Sequence, residues 1–132
     1  MRFRYALSVA ISSTSAEERD LGNNQAEVVV DTIAEGGTQE FTVPASTTNA
    51  PVQHPQLAAG KFVYLRTRAV DPNATPVEIT VKKNSTSGET WNITPLDGKE
   101  GHFLISTSGL TALYLSNPGL VAMKVTVAAC GD

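Results

Sequence analysis

The chain has 132 residues, with 13 Asp and Glu against 10 Lys and Arg, a net charge of -3, two histidines and one cysteine. A chain of this length buries about two thirds of the surface that its unfolded form exposes, so it needs neither metal nor disulfide to fold. The basic residues are not clustered as on a nucleic-acid-binding surface, which argues against DNA or RNA as a partner. We therefore expect a single domain spanning residues 1–132, without metal or cofactor.

The N-terminal segment alternates apolar and polar residues from Met1 to Ser12. Its basic start and its small residues imitate a signal peptide, but an unbroken period of two is typical of a β-strand with one polar face. We predict a strand over residues 2–12, followed by a polar, acidic loop to residue 25. No window has the apolar length of a membrane span, so we expect no membrane partner.

Two further strands are predicted at residues 26–33 and 39–43. The run Glu-Gly-Gly-Thr at 35–38 lies between them and is typical of a tight hairpin turn. We therefore expect these two strands to pair with each other in antiparallel orientation.

Residues 44–59 change in composition to Pro, Ser, Thr, Asn and Ala, and prolines at 44, 51 and 55 prevent this stretch from joining the centre of a sheet. A connection of this length is either a crossover between sheets or a contact loop. His54 is expected to be a surface histidine, and so is His102 at the start of a later strand.

Residues 60–81 contain the clearest pattern. Val77, Ile79 and Val81 alternate with solvated side chains, which predicts one core face and one wet face. The strand that begins at Gly60 is apolar on both faces at its start, so we expect it to be central. The breaker run at 71–76 is expected to join it to the next strand as the central pair.

Further turn signals separate four more strands, at residues 89–94, 102–106, 110–116 and 121–129. About nine short strands with no helix longer than one turn predict an all-β fold, an antiparallel β-sandwich. The long crossover favours a jelly-roll or another Greek-key arrangement over an up-and-down barrel.

No catalytic constellation is present in the sequence. Neither histidine lies in a motif with a nucleophile and a carboxylate, and there is no Gly-x-Ser-x-Gly elbow. We therefore expect that the protein is not an enzyme. Trp91, Tyr64 and Tyr114 suggest a sugar-stacking platform, although packing of Trp91 in the core is the favoured alternative because a domain with few aromatic residues needs that burial.

Three stretches of the sequence resemble small virion proteins of tailed bacteriophages. They are Gly-Lys-Phe-Val-Tyr-Leu-Arg-Thr-Arg at 60–68, Pro-Val-Glu-Ile-Thr-Val-Lys at 76–82 and, after a strand that contains Trp91, Gly-Leu-Thr-Ala-Leu-Tyr-Leu-Ser-Asn-Pro-Gly at 109–119. The resembling proteins are β-sandwich subunits that decorate or cement capsids, or that form ancillary tail and collar parts. The resemblance runs from about residue 36 to the end and does not include residues 1–24.

This resemblance implies a structural protein of the virion, assembled in the host cytoplasm. The expected partners are the major capsid protein or other virion proteins, together with further copies of this chain in a homo-oligomer. The alternatives are an ancillary tail or collar component and a carbohydrate-binding module. We expect the 44–59 loop and the N-terminal strand to supply the contacts, because both offer backbone that the domain does not fully pair. The candidate contact residues are Pro44, Asn49, Pro51, His54, Pro55, Arg2 and Arg4.

Overall fold

The structure is a computed structural model in which residues 3–6, 10–14, 17–20, 27–30 and 35–131 are described. The chain divides into two compact units, Met1–Ile33 and Ala34–Asp132. The expectation of one domain over residues 1–132 stays a prediction.

The described residues of the first unit form four short strands that pair two by two. Strand β1 (Phe3–Ala6) pairs antiparallel with β4 (Glu27–Val30), and β2 (Ala10–Thr14) pairs antiparallel with β3 (Glu17–Asp20). The prediction of a loop was wrong for β3, because backbone groups pair with the strand opposite even where the side chains are polar and acidic.

The second unit is an antiparallel β-sandwich. Its elements are β5 (Glu35–Val43), β6 (Thr47–Val52), a 3-10 helix (Pro55–Ala59), β7 (Gly60–Ala69), β8 (Ile79–Lys83), β9 (Thr90–Ile93), β10 (Gly101–Leu110), β11 (Leu113–Asn117) and β12 (Met123–Gly131). Within the described ranges, no helix is long and apolar enough to cross a membrane.

The eight strands of this unit form two four-stranded sheets. The β7 sheet has the order β10-β7-β12-β5, and the β11 sheet has the order β6-β11-β8-β9. The chain passes from one sheet to the other after each strand, except at the β8–β9 hairpin. These sheet orders are those of a jelly roll. The predicted all-β, jelly-roll-like sandwich is therefore confirmed.

The core lies between the inner faces of the two sheets. In β7, Val63 and Leu65 are fully buried, and in β8 Ile79 and Val81 are fully buried, so the predicted alternation of faces is confirmed. The burial of apolar side chains contributed by both sheets supplies the main favourable term in the stability of such a sandwich.

Two pairings that were predicted from the sequence are wrong. Strands β7 and β8 do not form a pair, because the connection at 70–78 carries the chain from one sheet to the other. The second wrong pairing is that of residues 39–43 with residues 26–33 through a turn. Residues 35–38 extend β5 instead, and β5 pairs with β12 from Glu35 opposite Gly131 to Val43 opposite Met123. The alternation of apolar and polar residues determines which face a strand buries. Its partner strand depends on contacts across the whole sheet.

The proline-rich stretch stays out of the centre of a sheet, as expected, but it contains a strand that was not predicted, at the edge of a sheet. Among the described strands, β6 pairs with β11 alone, and it carries Pro51 opposite Tyr114. An edge strand tolerates proline because the missing N–H faces away from the ladder. The stretch is also a crossover, since it leaves the β7 sheet after β5 and returns to it at β7.

Candidate functional site: the loop end of the sandwich

Four loops lie at one end of the sandwich, which we call the loop end. The strand register places them there, because Met123 at the start of β12 lies opposite both Val43 at the end of β5 and Ala69 at the end of β7. The loop end consists of residues 44–46, 70–78, 94–100 and 118–122.

Hydrogen bonds connect these loops to one another. The N–H of Ser46 donates to the C=O of Gly119 over 3.0 Å, and the N–H of Val70 donates to the C=O of Ala122 over 3.0 Å. A Cβ added at Gly119 would lie 2.8 Å from a γ-carbon of Val77, so the loops pack in close contact. The 118–122 loop is thereby fixed from two sides.

Asn117 holds the 118–122 loop from within. Its side chain is fully buried, and its Nδ2 donates to the C=O of Val43 over 3.1 Å and to the C=O of Val121 over 2.8 Å. Its Oδ1 accepts a hydrogen bond from the N–H of Gly119 over 3.1 Å. A buried amide with three partners specifies one loop conformation, because any other conformation would leave these groups unsatisfied.

The loop end exposes large apolar side chains. Leu120 is 88% exposed, Leu96 is 70% exposed and Val70 is 44% exposed, and the remaining exposed large hydrophobic side chain among the described residues, Leu104, lies on β10 at 46%. A single exposed leucine is ordinary, but apolar side chains gathered at one end of a domain are typical of an interaction surface.

A groove of about 530 Å³ opens at the loop end between the 70–78 loop and the turn that follows Leu96. Charged side chains of both signs line it, namely Arg68, Lys99, Lys124, Asp71 and Glu100. This lining contains three cations and two carboxylates, in a chain whose net charge is -3.

Both carboxylates of the groove already have partners. Arg66 donates from Nε to Oε2 of Glu100 over 2.9 Å and makes a second hydrogen bond from Nη2 to Oε1. The hydrogen bonds from Arg66 hold the pKa of Glu100 below its usual value, which keeps this carboxylate charged. Oδ1 of Asp71 accepts from the N–H of Asn73 over 2.9 Å and so stabilises the turn after β7.

The cations of the groove differ in their pairing. Arg68 contacts Oε1 of Glu40 at 3.1 Å. Lys99 and Lys124 have no ion-pair partner within the part of the chain that the structure describes. The groove therefore presents two ammonium groups whose charge is not met by a carboxylate of the described residues.

The candidate contact residues do not come together. Pro44 is exposed at the loop end. Pro51, near the end of β6, and Pro55, in the 3-10 helix, are exposed outside the loop end. Asn49 is half-buried, and its N–H donates to Oγ of Ser116 over 2.9 Å. Arg2 lies outside the described residues, and only the backbone of Arg4, in β1, is described.

The prediction that His54 is a surface histidine was wrong. Its side chain is buried at 5% exposure, because the chain turns inward at the 3-10 helix, where the N–H of Leu57 donates to the C=O of His54 over 3.0 Å. Burial lowers the pKa of His54, and a hydrogen bond with the backbone of Gly37 opposes that shift. His102 is exposed, as predicted, and its Nδ1 lies 2.6 Å from the hydroxyl of Tyr64.

The three aromatic candidates do not share one surface. Tyr64 alternates with core residues of β7 and so faces outward from the β7 sheet, while Tyr114 faces outward from the β11 sheet by the same alternation. Trp91 packs against the core and stacks on Phe103, with 5.1 Å between the ring centroids. These side chains do not form one sugar-stacking platform.

Sequence reasoning did not single out Asn117, Leu96 or Leu120. The feature of the sequence that could have indicated them is a large apolar residue next to turn-forming residues, as in Asn-Pro-Gly-Leu at 117–120. No family model and no curated protein matches the chain.

Proposed function

We propose that this protein is a structural subunit of a tailed-phage virion, a capsid decoration or cement protein that attaches through its loop end. The observation that carries the proposal is Leu120, which is 88% exposed on a loop whose backbone is fixed by hydrogen bonds. A partner protein, either the major capsid protein or another virion protein, covers this side chain in the assembled particle.

The fixed loop makes Leu120 suitable as an anchor. Full burial of a leucine contributes about 1.5–3 kcal/mol. Binding usually loses part of such a gain because mobile groups must be ordered, but a loop that is already ordered avoids that cost. The apolar residues Leu96 and Val70 at the same end add area that a partner can cover.

The sequence resemblance and the fold together support a virion as the assembly. The resembling stretches at 60–68, 76–82 and 109–119 contain β11 and all but the last residue of β7 and β8. Jelly rolls occur in viral capsid proteins, and they also occur in lectins, so the fold is compatible with the proposal without selecting it. A subunit that cements a capsid acts as a homo-oligomer that bridges neighbouring capsid proteins.

The test separates the head, the tail and a glycan as partners. The purified full-length chain is mixed in turn with heads that lack it and with isolated tails, the particles are pelleted, and bound protein is quantified; a glycan array is probed in parallel. We expect saturable binding to heads at an integral ratio to the capsid protein. Binding to tails alone would replace the decoration function with the ancillary tail function, and glycan binding without particle binding would overturn the proposal.

A further inference from the structure

The groove at the loop end has the features of a peptide site. Its volume of about 530 Å³ lies within the range of about 300–1,000 Å³ that is typical of ligand sites. Val70 contributes an exposed apolar side chain to its wall. Leu96 belongs to the turn that carries Lys99, because the N–H of Lys99 donates to the C=O of Leu96 over 3.0 Å.

The charges of the groove favour an acidic occupant. Glu100 is ion-paired with Arg66. Asp71 accepts a hydrogen bond from a backbone N–H, which stabilises a turn but does not pair the carboxylate with a cation. Lys99 and Lys124, which meet no carboxylate in the described part of the chain, outnumber it. An incoming Asp or Glu would pair with these lysines, and an incoming cation would be repelled by them.

We propose that the groove binds a short extended segment of the partner protein that carries Asp or Glu beside an apolar side chain. This inference deepens the proposed function and rests on it for the identity of the partner. The carboxylates of the segment contact Lys99 and Lys124, its apolar side chain contacts Val70, and Leu120 inserts into the partner beside the groove.

The two kinds of contact have different consequences. Exposed ion pairs contribute little affinity, but they steer the encounter and exclude partners of the wrong charge. Burial of the apolar side chains supplies the affinity. Binding should therefore weaken with salt without being abolished, since salt screens only the charged part.

The test uses a defined probe, a short capped peptide of alternating Glu and Leu, and a matched peptide of alternating Lys and Leu. Each is titrated into the isotopically labelled full-length chain while backbone amide signals are followed by NMR. We expect the acidic peptide to shift the signals of Val70, Lys99 and Lys124, and the basic peptide to leave them in place. The double variant Lys99→Glu/Lys124→Glu should bind the acidic peptide at least about tenfold more weakly.

The control variant is Lys82→Glu, whose lysine lies on β8 in the other sheet and should leave the titration unchanged. Shifts that are absent from the groove, or that are equal for the two peptides, would overturn the inference. Wild-type protein that shows the expected peptide shifts but ignores heads and tails would overturn the proposed function instead, so the two failures are distinguishable.

Discussion

Replacement of Asn117 by alanine tests whether a buried side chain holds the loop end in place. The amide makes three hydrogen bonds, to the C=O groups of Val43 and Val121 and to the N–H of Gly119. At a net contribution of about 1 kcal/mol for each bond, Asn117→Ala should lower the free energy of unfolding by about 3 kcal/mol. Alanine also leaves the three backbone groups without their partner inside the sandwich.

The assay is urea unfolding of the full-length chain, followed by the fluorescence of Trp91, which packs against the core of the same unit. The matched control is Asn92→Ala, because Asn92 is exposed and accepts one side-chain hydrogen bond, from Oγ1 of Thr80 over 3.2 Å. We expect this control to change the unfolding free energy by no more than about 0.5 kcal/mol. If Asn117→Ala cost no more than Asn92→Ala, the loop would be held by its own turn and the reasoning would be refuted.

Three further predictions concern the core and its titratable groups. Thr67 is fully buried, and its hydroxyl makes no hydrogen bond within the described residues, so Thr67→Val should raise the unfolding free energy by about 1 kcal/mol; a loss of stability in urea would contradict this. Burial lowers the pKa of His54 in the folded protein, so the unfolded chain binds the proton more readily and stability should fall as the pH drops below about 6.5. Urea unfolding at a series of pH values should show that the unfolding free energy of His54→Gln declines less steeply as the pH falls. An unchanged slope would exclude His54 as the source of the decline. Burial raises the pKa of the Cys130 thiol, so a thiol reagent should label it only after denaturation, and rapid labelling of the native protein would be inconsistent with this environment.

The buried face of a strand such as β8, and its hairpin with β9, could be predicted from the sequence, whereas pairings between strands distant in the chain could not. Ile79 and Val81 point into the core because a strand alternates its side chains, a property that is local. The partner of residues 35–38 is residues 128–131 at the far end of the chain. Glycines at 36 and 37 fit a turn as well as a strand, so nothing local excluded the hairpin.

The candidate site was less predictable than the fold for the same reason. The burial of His54 depends on how the 3-10 helix places the chain against the sandwich, and proline neighbours alone indicate only a loop. The importance of Leu120 depends on loops from four connections meeting at one end, which requires the register of both sheets. Trp91 was easier, because a domain with few aromatic residues favours its burial, and it packs against the core beside Ile93.

Attachment through the loop end is tested most directly by Leu120→Ser. The wild-type chain, this variant and the control Leu104→Ser, which removes a leucine that is 46% exposed on β10, are titrated against heads that lack the protein. Loss of a buried anchor of about 2 kcal/mol predicts binding about 30-fold weaker for Leu120→Ser and unchanged binding for Leu104→Ser. If Leu120→Ser bound heads as tightly as the wild type, the loop end would not be the docking surface.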